Sequence, residues 1–200
     1  MKQRKTIAVD IDDVLSKSAE GFIAFSNERW GMALKPEDYQ EEWAVVWGVS
    51  LDEALERSIA FHASGAVGRY LPNEAAMPAL KKLAKAYDLV AVTSRRKLLQ
   101  PETDAWMERH FPGIFKELHY AGIWDDLQKK GVEGALKQTK AELCREIGAE
   151  YLVDDQIKHC VGAASAGIKA LLFGAGTGTA VPSGVTPVAN WAAVKEYFRV

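Results

Sequence analysis

The stretch IAVDIDDVL, residues 7–15, is the most informative part of this sequence, because an apolar run ends in three aspartates. Its apolar positions predict a buried strand, and burying an unpaired carboxylate is costly. Asp10, Asp12 and Asp13 therefore mark either a solvated turn or a site that holds negative charge around a metal ion. Alternation turns Asp13 away from Asp10, so for Asp13 we expect a helix-capping or supporting role.

Beyond this stretch, apolar strand-like runs alternate with amphipathic helix-like runs. Further strands are predicted at 88–94, 115–122, 149–155 and 168–174, and helices at 73–87, 101–111, 137–148, 157–167 and 190–198. Such alternation with short connections favours a parallel sheet that is covered by helices on both faces. We therefore predict an α/β protein with a Rossmann-like, three-layer parallel sheet.

Residues 16–72 do not fit a plain strand–helix–strand unit, which takes roughly 30 residues. The helix at 73–87 already supplies the crossover, so we predict a core of residues 1–15 and 73–200 and a small helical cap at 16–72. Ligands of open α/β sheets bind outside the carboxyl ends of the strands, so a cap inserted there would cover the site. Its many aromatic residues should mostly form its own core, while a few could stack on a substrate ring or pack against a second subunit in a homodimer.

Polar residues follow other predicted strands at the same edge of the sheet. They are Thr93 and Ser94 after one strand, Asp154 and Asp155 after another, and Lys140 in the helix between, with Lys137 one turn earlier as the alternative lysine. Several acids at one edge would repel each other unless a cation lay among them, and carboxylate oxygens favour Mg²⁺. Carboxylates, Mg²⁺, a lysine and a hydroxyl together form a set suited to phosphoryl transfer.

In this order the motifs DIDDVL, VAVTS and TKAELCREIGAEYLVDD resemble those of the haloacid dehalogenase-like (HAD) phosphohydrolase superfamily. The insertion after the first motif resembles the type 1 helical cap of that superfamily. LHYAG and LVDDQIKHC are similar to the 5′(3′)-deoxyribonucleotidase, cytosolic type C, branch. The resemblance implies a Mg²⁺-dependent phosphomonoester hydrolase that forms an aspartyl-phosphate and acts on a nucleoside monophosphate, preferably deoxy and pyrimidine.

The resemblance also implies a role for each residue of the first two motifs. Asp10 would be the nucleophile, and Asp12 would be the general acid for the leaving oxygen and then the base for water. Thr93, with Ser94, would bind the transferring phosphoryl group. Branch members often have a proline shortly after the Thr-Ser pair, whereas this chain has two arginines. Either arginine could bind a substrate phosphate through two parallel hydrogen bonds. Arg95 is the one that we assign to substrate binding, and a position in solvent is the alternative for both arginines.

For the last motif, the resemblance implies charge neutralisation and metal binding. Lys140 would neutralise the nucleophile and the phosphate. The implied Mg²⁺ ligands are Asp10, the backbone carbonyl of Asp12, and Asp154 and Asp155, directly or through water. We favour Asp155 as the direct ligand, because the second acid of such a pair takes the place of the usual metal-binding aspartate.

The net charge and the hydrophobic pattern limit the classes of partner and the cellular location that we expect. A formal net charge of −2 provides no basic surface for a nucleic acid polymer, so we expect a small-molecule phosphate ester as the ligand. No apolar stretch approaches the roughly 20 residues that span a bilayer, and the N-terminus lacks the apolar region of a signal peptide. We therefore expect a cytoplasmic protein, with Cys144 and Cys160 reduced.

Two alternatives to a nucleotidase remain open at this point. The same core residues would serve a phosphatase of a sugar phosphate or another small metabolite, and a non-catalytic protein could bind a phosphate ligand on the same fold. The four histidines, which lack metal-ligand spacing, are predicted as surface or boundary residues: His62, His110, His119 and His159. GAGTGT, residues 174–179, is predicted as a loop, because no helix follows it as a dinucleotide site requires.

Overall fold

A computed structural model describes residues 4–121, 139–176 and 178–200. Within these ranges the strands form one parallel sheet in the order β3-β2-β1-β4-β5-β6. The strands are β1 Thr6–Asp10, β2 Asp88–Thr93, β3 Leu118–Tyr120, β4 Ala149–Asp154, β5 Lys169–Phe173 and β6 Val185–Val188. The apolar run of β1 lies near the centre of the sheet, where Ile7, Ala8 and Val9 are fully buried.

Helices occupy most of the intervening segments. They are α1 Ser18–Trp30, α2 Trp43–Trp47, α3 Leu51–Ala63, α4 Ala76–Leu83, α5 Gln100–His110, α6 Lys140–Glu146, α7 Ile157–Ser165 and α8 Trp191–Phe198. Single 3₁₀ turns occur at Pro36–Asp38, Val67–Arg69 and Lys97–Leu99. In the described part of the chain, no helix combines the length and the apolar character needed to cross a membrane.

Two hydrophobic cores cover the two faces of the sheet. Ile7 and Val9 point into one core, which α4, α5 and α8 close with residues such as Leu80 and Trp106. Ala8 points into the other core, against α6 and α7. Side chains that alternate between two buried faces explain why the strands are apolar throughout. The three-layer α/β fold predicted from the sequence is confirmed.

A third hydrophobic core lies in the helical insertion between β1 and α4. The rings of Phe22, Trp47 and Phe61 form its centre, with the Phe22 centroid 5.2 Å from Trp47 and 5.4 Å from Phe61. The ends of the insertion meet at a bridge between Ser16 and Pro72. The predicted small helical cap after the first strand is thus present, while its treatment as a separate domain at 16–72 stays a prediction.

Two elements were not predicted from the sequence. Strand β6 contains Pro187, which lacks an N–H donor and argues against a strand; the strand is tolerated because it pairs with β5 only and lies at the edge of the sheet. Helix α2 lies in the segment KPEDYQEEWAVVWGVS of the predicted cap, which the sequence indicates only as a connection between two longer helical runs. The first two residues of the helix predicted at 137–148, among them the alternative lysine Lys137, lie outside the described residues. Residue 177 of the GAGTGT loop also lies outside them.

Candidate active site

Three carboxylates converge at the carboxyl edge of the sheet. Asp10 ends β1, Asp154 ends β4, and Asp155 follows directly. One carboxylate oxygen from each lies within 4.8 Å of the others, and we call these three residues the acidic cluster. Asp10 and Asp154 are almost completely buried. Parallel pairing of β1 with β4 brings together residues that are far apart in the sequence.

Lys140 is the cation that contacts two members of the acidic cluster. Its Nζ lies 2.7 Å from Asp10 Oδ2 and 2.8 Å from Asp154 Oδ2, and its side chain is 2% exposed. Thr139 caps α6 in a reciprocal capping box with Glu142, so the helix begins where Lys140 reaches the site. Burial lowers the pKa of Lys140, but the two carboxylates outweigh burial and raise it overall, so the ammonium stays charged.

One lysine does not neutralise the whole acidic cluster. Burial raises the pKa of Asp10 well above its ordinary value; Lys140 opposes this effect, and Asp154 and Asp155 add to it. Burial, followed by the charge of Asp154, raises the pKa of Asp155 to about 7. Burial first, and repulsion among the carboxylates second, favour the protonated forms, and a further cation would stabilise the charged forms. The donor set is all carboxylate, the chemistry that suits Mg²⁺.

Asp12 does not join the acidic cluster through its side chain, because Arg95 binds its carboxylate. Arg95 Nη2 donates to Asp12 Oδ1 at 2.7 Å, and Nε donates to Oδ2 at 3.0 Å. Arg95 Nη1 donates to Thr103 Oγ1 at 3.2 Å, and Arg95 is only 7% exposed. Burial would raise the pKa of Asp12, but the charge and hydrogen bonds of Arg95 outweigh it and hold the pKa below its ordinary value.

The Thr-Ser pair lies at the end of β2, beside this ion pair. Thr93 is fully buried, and its Oγ1 accepts a 3.1 Å hydrogen bond from the backbone N–H of Arg95. Ser94 Oγ is buried, and no other group in the described ranges hydrogen-bonds to it. Buried hydroxyls are normally paired, so an unpaired one at this edge is a candidate contact for a bound ligand.

Asp13 supports the insertion, in the capping role expected from the sequence. Its Oδ1 accepts a 2.9 Å hydrogen bond from the backbone N–H of Ala19, in the first turn of α1. Asp13 adopts the left-handed conformation, with φ of 54°, which turns the chain from β1 into the insertion. Burial raises its pKa to about 6.

Charges at this edge contribute to the pKa shifts of three residues of the insertion, and one of them, Tyr70, lies beside Arg95, whose Cζ is 5.7 Å from its ring centroid. Burial raises the pKa of Tyr39 and of Tyr70, and Asp12 adds to both shifts. Burial lowers the pKa of His62, and Arg96 and Arg95 add to that shift. No local sequence motif marks these three residues as site residues, so they were not predicted. Their position depends on how the insertion folds back, which aromatic spacing alone does not fix.

An exposed ion pair joins the insertion to the core close to the acidic cluster. Lys158, in the first turn of α7, contacts Glu41, which lies shortly before α2. Tyr70 makes a second connection, because its carbonyl accepts a 2.8 Å hydrogen bond from Trp106 Nε1 of α5. The insertion therefore contacts the core on both sides of the carboxyl edge.

A parallel sheet with a helical insertion after its first strand, and acids with a lysine at its carboxyl edge, define a HAD-superfamily hydrolase. Solved structures share this fold. A HAD-like family hydrolase from Streptococcus pneumoniae aligns with 13% identity and a TM-score of 0.66, over 99% of this chain and 100% of that one. The Bacillus subtilis HAD-hydrolase YfnB, bound to magnesium, aligns with 12% identity and a TM-score of 0.65 over the whole of both chains. Mycobacterium tuberculosis Protein Tyrosine Kinase A aligns with 18% identity and a TM-score of 0.69, also over both whole chains.

Sequence comparison identifies the family. Residues 4–122 match the model of the family described as 5′ nucleotidase, deoxy (Pyrimidine), cytosolic type C protein. The match covers more than half of the chain, so the protein belongs to this family and is a phosphoric monoester hydrolase. No curated protein sequence matches the chain. The predicted relationship to HAD phosphohydrolases and to this nucleotidase branch is confirmed.

Proposed function

We propose that the protein is a Mg²⁺-dependent nucleotidase that hydrolyses (deoxy)nucleoside monophosphates through a phosphorylated Asp10. The observation that carries this proposal is the position of Asp10: it ends the central strand, touches Lys140 at 2.7 Å and belongs to the acidic cluster. Membership of the nucleotidase family supports the substrate class. A small-molecule phosphate ester, rather than a nucleic acid polymer, is the partner that this site would take.

In the first step, a carboxylate oxygen of Asp10 attacks phosphorus, and the bond from phosphorus to the ester oxygen breaks. The leaving alcohol takes a proton from Asp12, which must be protonated and released from its ion pair with Arg95 before this step. In the second step, water attacks the phosphorus of the aspartyl-phosphate and gives a proton to Asp12, while the bond from phosphorus to Asp10 breaks. Inorganic phosphate and the alcohol are the products, and both aspartates return to their starting states.

The other residues at the edge would position charge around the phosphoryl group. Lys140, held between Asp10 and Asp154, would neutralise oxygens of the nucleophile and the phosphate. The hydroxyls of Thr93 and Ser94 would donate hydrogen bonds to phosphoryl oxygens, and the unpaired Ser94 Oγ suits this role. Catalysis of phosphoryl transfer consists mostly of positioning and electrostatic stabilisation, which these groups can supply.

The residues present fit a divalent cation. Asp10, Asp155 and the backbone carbonyl of Asp12 would hold Mg²⁺, which when bound would neutralise phosphate charge and reduce the repulsion between nucleophile and substrate. Asp154 is already engaged, because Oδ2 accepts from Lys140 Nζ and Oδ1 accepts from the backbone N–H of Gln156 at 2.9 Å. In the described ranges Asp155 accepts through one oxygen only, Oδ2, from Gln156 Nε2 at 2.8 Å, so its other oxygen supports Asp155 as the direct ligand.

The test is phosphate release from a panel of phosphomonoesters, with Mg²⁺ or with EDTA, by wild type, Asp10→Asn and Asp52→Asn. Asp52 is exposed on α3, so Asp52→Asn serves as the matched control. We expect Mg²⁺-dependent release that falls by about 10³-fold or more in Asp10→Asn only, since loss of a catalytic group costs powers of ten. Equal rates for Asp10→Asn and wild type would overturn the nucleophile assignment. A sugar phosphate hydrolysed faster than every nucleotide would overturn the substrate class.

A further inference from the structure

The ion pair of Arg95 with Asp12 keeps both residues from the roles that the proposed function gives them. Asp12 must leave the pair before it can act on the leaving oxygen. The guanidinium edge that would bind a phosphate already binds a carboxylate: Nε donates to Asp12 Oδ2 at 3.0 Å, and Nη2 donates to Oδ1 at 2.7 Å. Two parallel donors of this kind also match the oxygens of a phosphate. The carboxylate therefore occupies a position that suits a phosphate equally well.

The pair lies next to the groups assigned to the phosphoryl group. In the ladder between β1 and β2, Asp10 pairs with Val92, so Asp12 and Arg95 both follow the ladder at the carboxyl edge. The backbone N–H of Arg95 donates to Thr93 Oγ1 at 3.1 Å, which fixes the start of the Arg95 side chain beside that hydroxyl. A phosphoryl group bound by Asp10 and Thr93 would therefore lie beside the ion pair.

Within the pair, Arg95 is the fixed partner and Asp12 is the partner that can move. Arg95 Nη1 donates to Thr103 Oγ1 of α5 at 3.2 Å, and Arg95 Cζ lies 5.7 Å from the ring centroid of Tyr70 in the insertion. The side chain of Arg95 is 5% exposed, whereas that of Asp12 is 34% exposed. Ser16 Oγ contacts Asp12 Oδ1 only at 3.5 Å, which is long for a hydrogen bond between oxygens. An incoming ligand would therefore displace Asp12 and leave the guanidinium in place.

The charges favour such a displacement. A phosphate monoester carries close to two negative charges near pH 7, whereas a carboxylate carries one. The attraction of a guanidinium rises with the charge of its partner, and the bidentate geometry is the same for both anions. Arg95 therefore interacts more favourably with a phosphate than with Asp12 when both are within reach.

We propose that Arg95 exchanges partners during the reaction: its guanidinium binds Asp12 in the free enzyme and two phosphoryl oxygens in the substrate complex. This inference rests on the proposed function and adds a step to it. Asp12 stays paired while the site lacks a phosphate, so the general acid becomes available only when substrate is bound. Inorganic phosphate has the same oxygens and should drive the same exchange, which makes the exchange measurable without turnover.

The first experiment measures the binding of inorganic phosphate, in the presence of Mg²⁺, by isothermal titration calorimetry. The proteins are wild type, Arg95→Met, Asp12→Asn and the double variant, and thermal unfolding establishes that each is folded at the assay temperature. Arg4 and Asp88 form the control pair, because Asp88 begins β2, at the end opposite Thr93. The corresponding four proteins of that pair undergo the same titration.

We expect Asp12→Asn to tighten phosphate binding by at least about 5-fold more when Arg95 is present than in the Arg95→Met background. In that background, Asp12→Asn removes only the repulsion between a carboxylate and the phosphate, so the comparison corrects for the change in charge. With Arg95 present, Asp12→Asn also removes the competitor for the guanidinium. The control pair should show a difference below about 2-fold. Equal effects of Asp12→Asn in both backgrounds would overturn the exchange.

A crystal structure of wild type with Mg²⁺ and inorganic phosphate tests the exchange directly. We expect Arg95 Nε and Nη2 within about 3.2 Å of phosphate oxygens, and the Asp12 carboxylate more than about 4 Å from the guanidinium. A guanidinium still bound to Asp12 beside a bound phosphate would overturn the exchange, whatever the calorimetry gives.

The outcomes separate this inference from the proposed function. If no ester is hydrolysed, the proposed function fails, whereas coupled phosphate binding and the crystal contact still support the exchange at Arg95. Hydrolysis of nucleotides without coupling between Arg95 and Asp12 would overturn the exchange alone. An absence of phosphate binding by wild type would also overturn the exchange.

Discussion

Replacing Arg95 with methionine removes the guanidinium that binds Asp12 and leaves that carboxylate without its partner. The side chain of Arg95 is 5% exposed and that of Asp12 is 34% exposed. Breaking a fully buried ion pair from one side costs about 3–5 kcal/mol, and exposed pairs contribute about 0–1 kcal/mol. Because water still reaches Asp12, we expect Arg95→Met to lower the free energy of unfolding by about 2–3 kcal/mol, including the hydrogen bond to Thr103.

A double-mutant cycle separates the pair from its surroundings. Urea unfolding of wild type, Arg95→Met, Asp12→Asn and the double variant at pH 7 should give a coupling energy of about 1–2 kcal/mol. The pKa of Asp12 is lower in the folded protein, so the coupling is present above the unfolded-state pKa of about 4 and is lost as the pH falls through the folded-state pKa. Arg95→Lys should recover little of it, because an ammonium does not form the bidentate pair.

The exposed pair of Arg4 with Asp88 is the matched control. Its side chains are 44% and 20% exposed, so the same cycle there should give a coupling below about 1 kcal/mol. Effects of Arg95→Met and Asp12→Asn that add to within about 0.5 kcal/mol would refute the reasoning, because independent sites behave in that way. So would a coupling that grows, rather than shrinks, as the solution is acidified.

Three further predictions concern the lysine, the metal and the packing of the insertion. Lys140→Met leaves two buried carboxylates unpaired and should cost about 3–5 kcal/mol of unfolding free energy, while exposed Lys82→Met should change it by less than about 0.5 kcal/mol in the same melts. Mg²⁺ at about 100 times its Kd should stabilise the protein by about 2.7 kcal/mol at pH 8. The stabilisation should be smaller at pH 5.5, because the raised pKa values in the acidic cluster let protons compete with the metal. An equal shift in Tm at both pH values would contradict this expectation. Gly21→Ala would place Cβ 2.3 Å from Tyr70 Cδ1 and should destabilise by about 1–3 kcal/mol, whereas Gly162→Ala, whose Cβ would meet only an ordinary 3.6 Å contact, should be neutral or stabilising in thermal unfolding.

Much of the fold could be predicted because its signals are local. The apolar run that ends at Asp10 is buried on both faces, and that environment produces an unbroken apolar strand rather than an alternating one. Pro187 in strand β6 argues against a strand. The strand is possible only because it lies at the edge of the sheet, a position that is known only once the sheet is assembled. Helix α2 is five residues long, too short for helical periodicity to distinguish it from a turn.

The residues of the candidate site also differ in whether a local sequence signal predicts their position. Asp10, Thr93 and Asp154 each end a strand, so parallel pairing alone predicts that they meet. The residues contributed by the insertion follow no such rule. Tyr70 lies beside Arg95, whose Cζ is 5.7 Å from the centroid of the Tyr70 ring, and no local sequence pattern predicts this contact. The contacts between the insertion and the candidate site therefore arise from the part of the chain in which sequence patterns carry the least information.

Arg95 shows how a substitution within a recognisable motif changes the site around it. From the sequence, the arginine after the Thr-Ser pair was expected either in solvent or on a substrate phosphate. In the structure three of its five N–H groups are engaged, two by Asp12 and one by Thr103. A phosphate contact, which stays a prediction, would have to use the remaining N–H groups or displace Asp12. If a bound phosphate competed for the guanidinium, Asp12 would be freed at the moment when it must act as the acid, so substrate binding and release of the general acid would be coupled through one side chain.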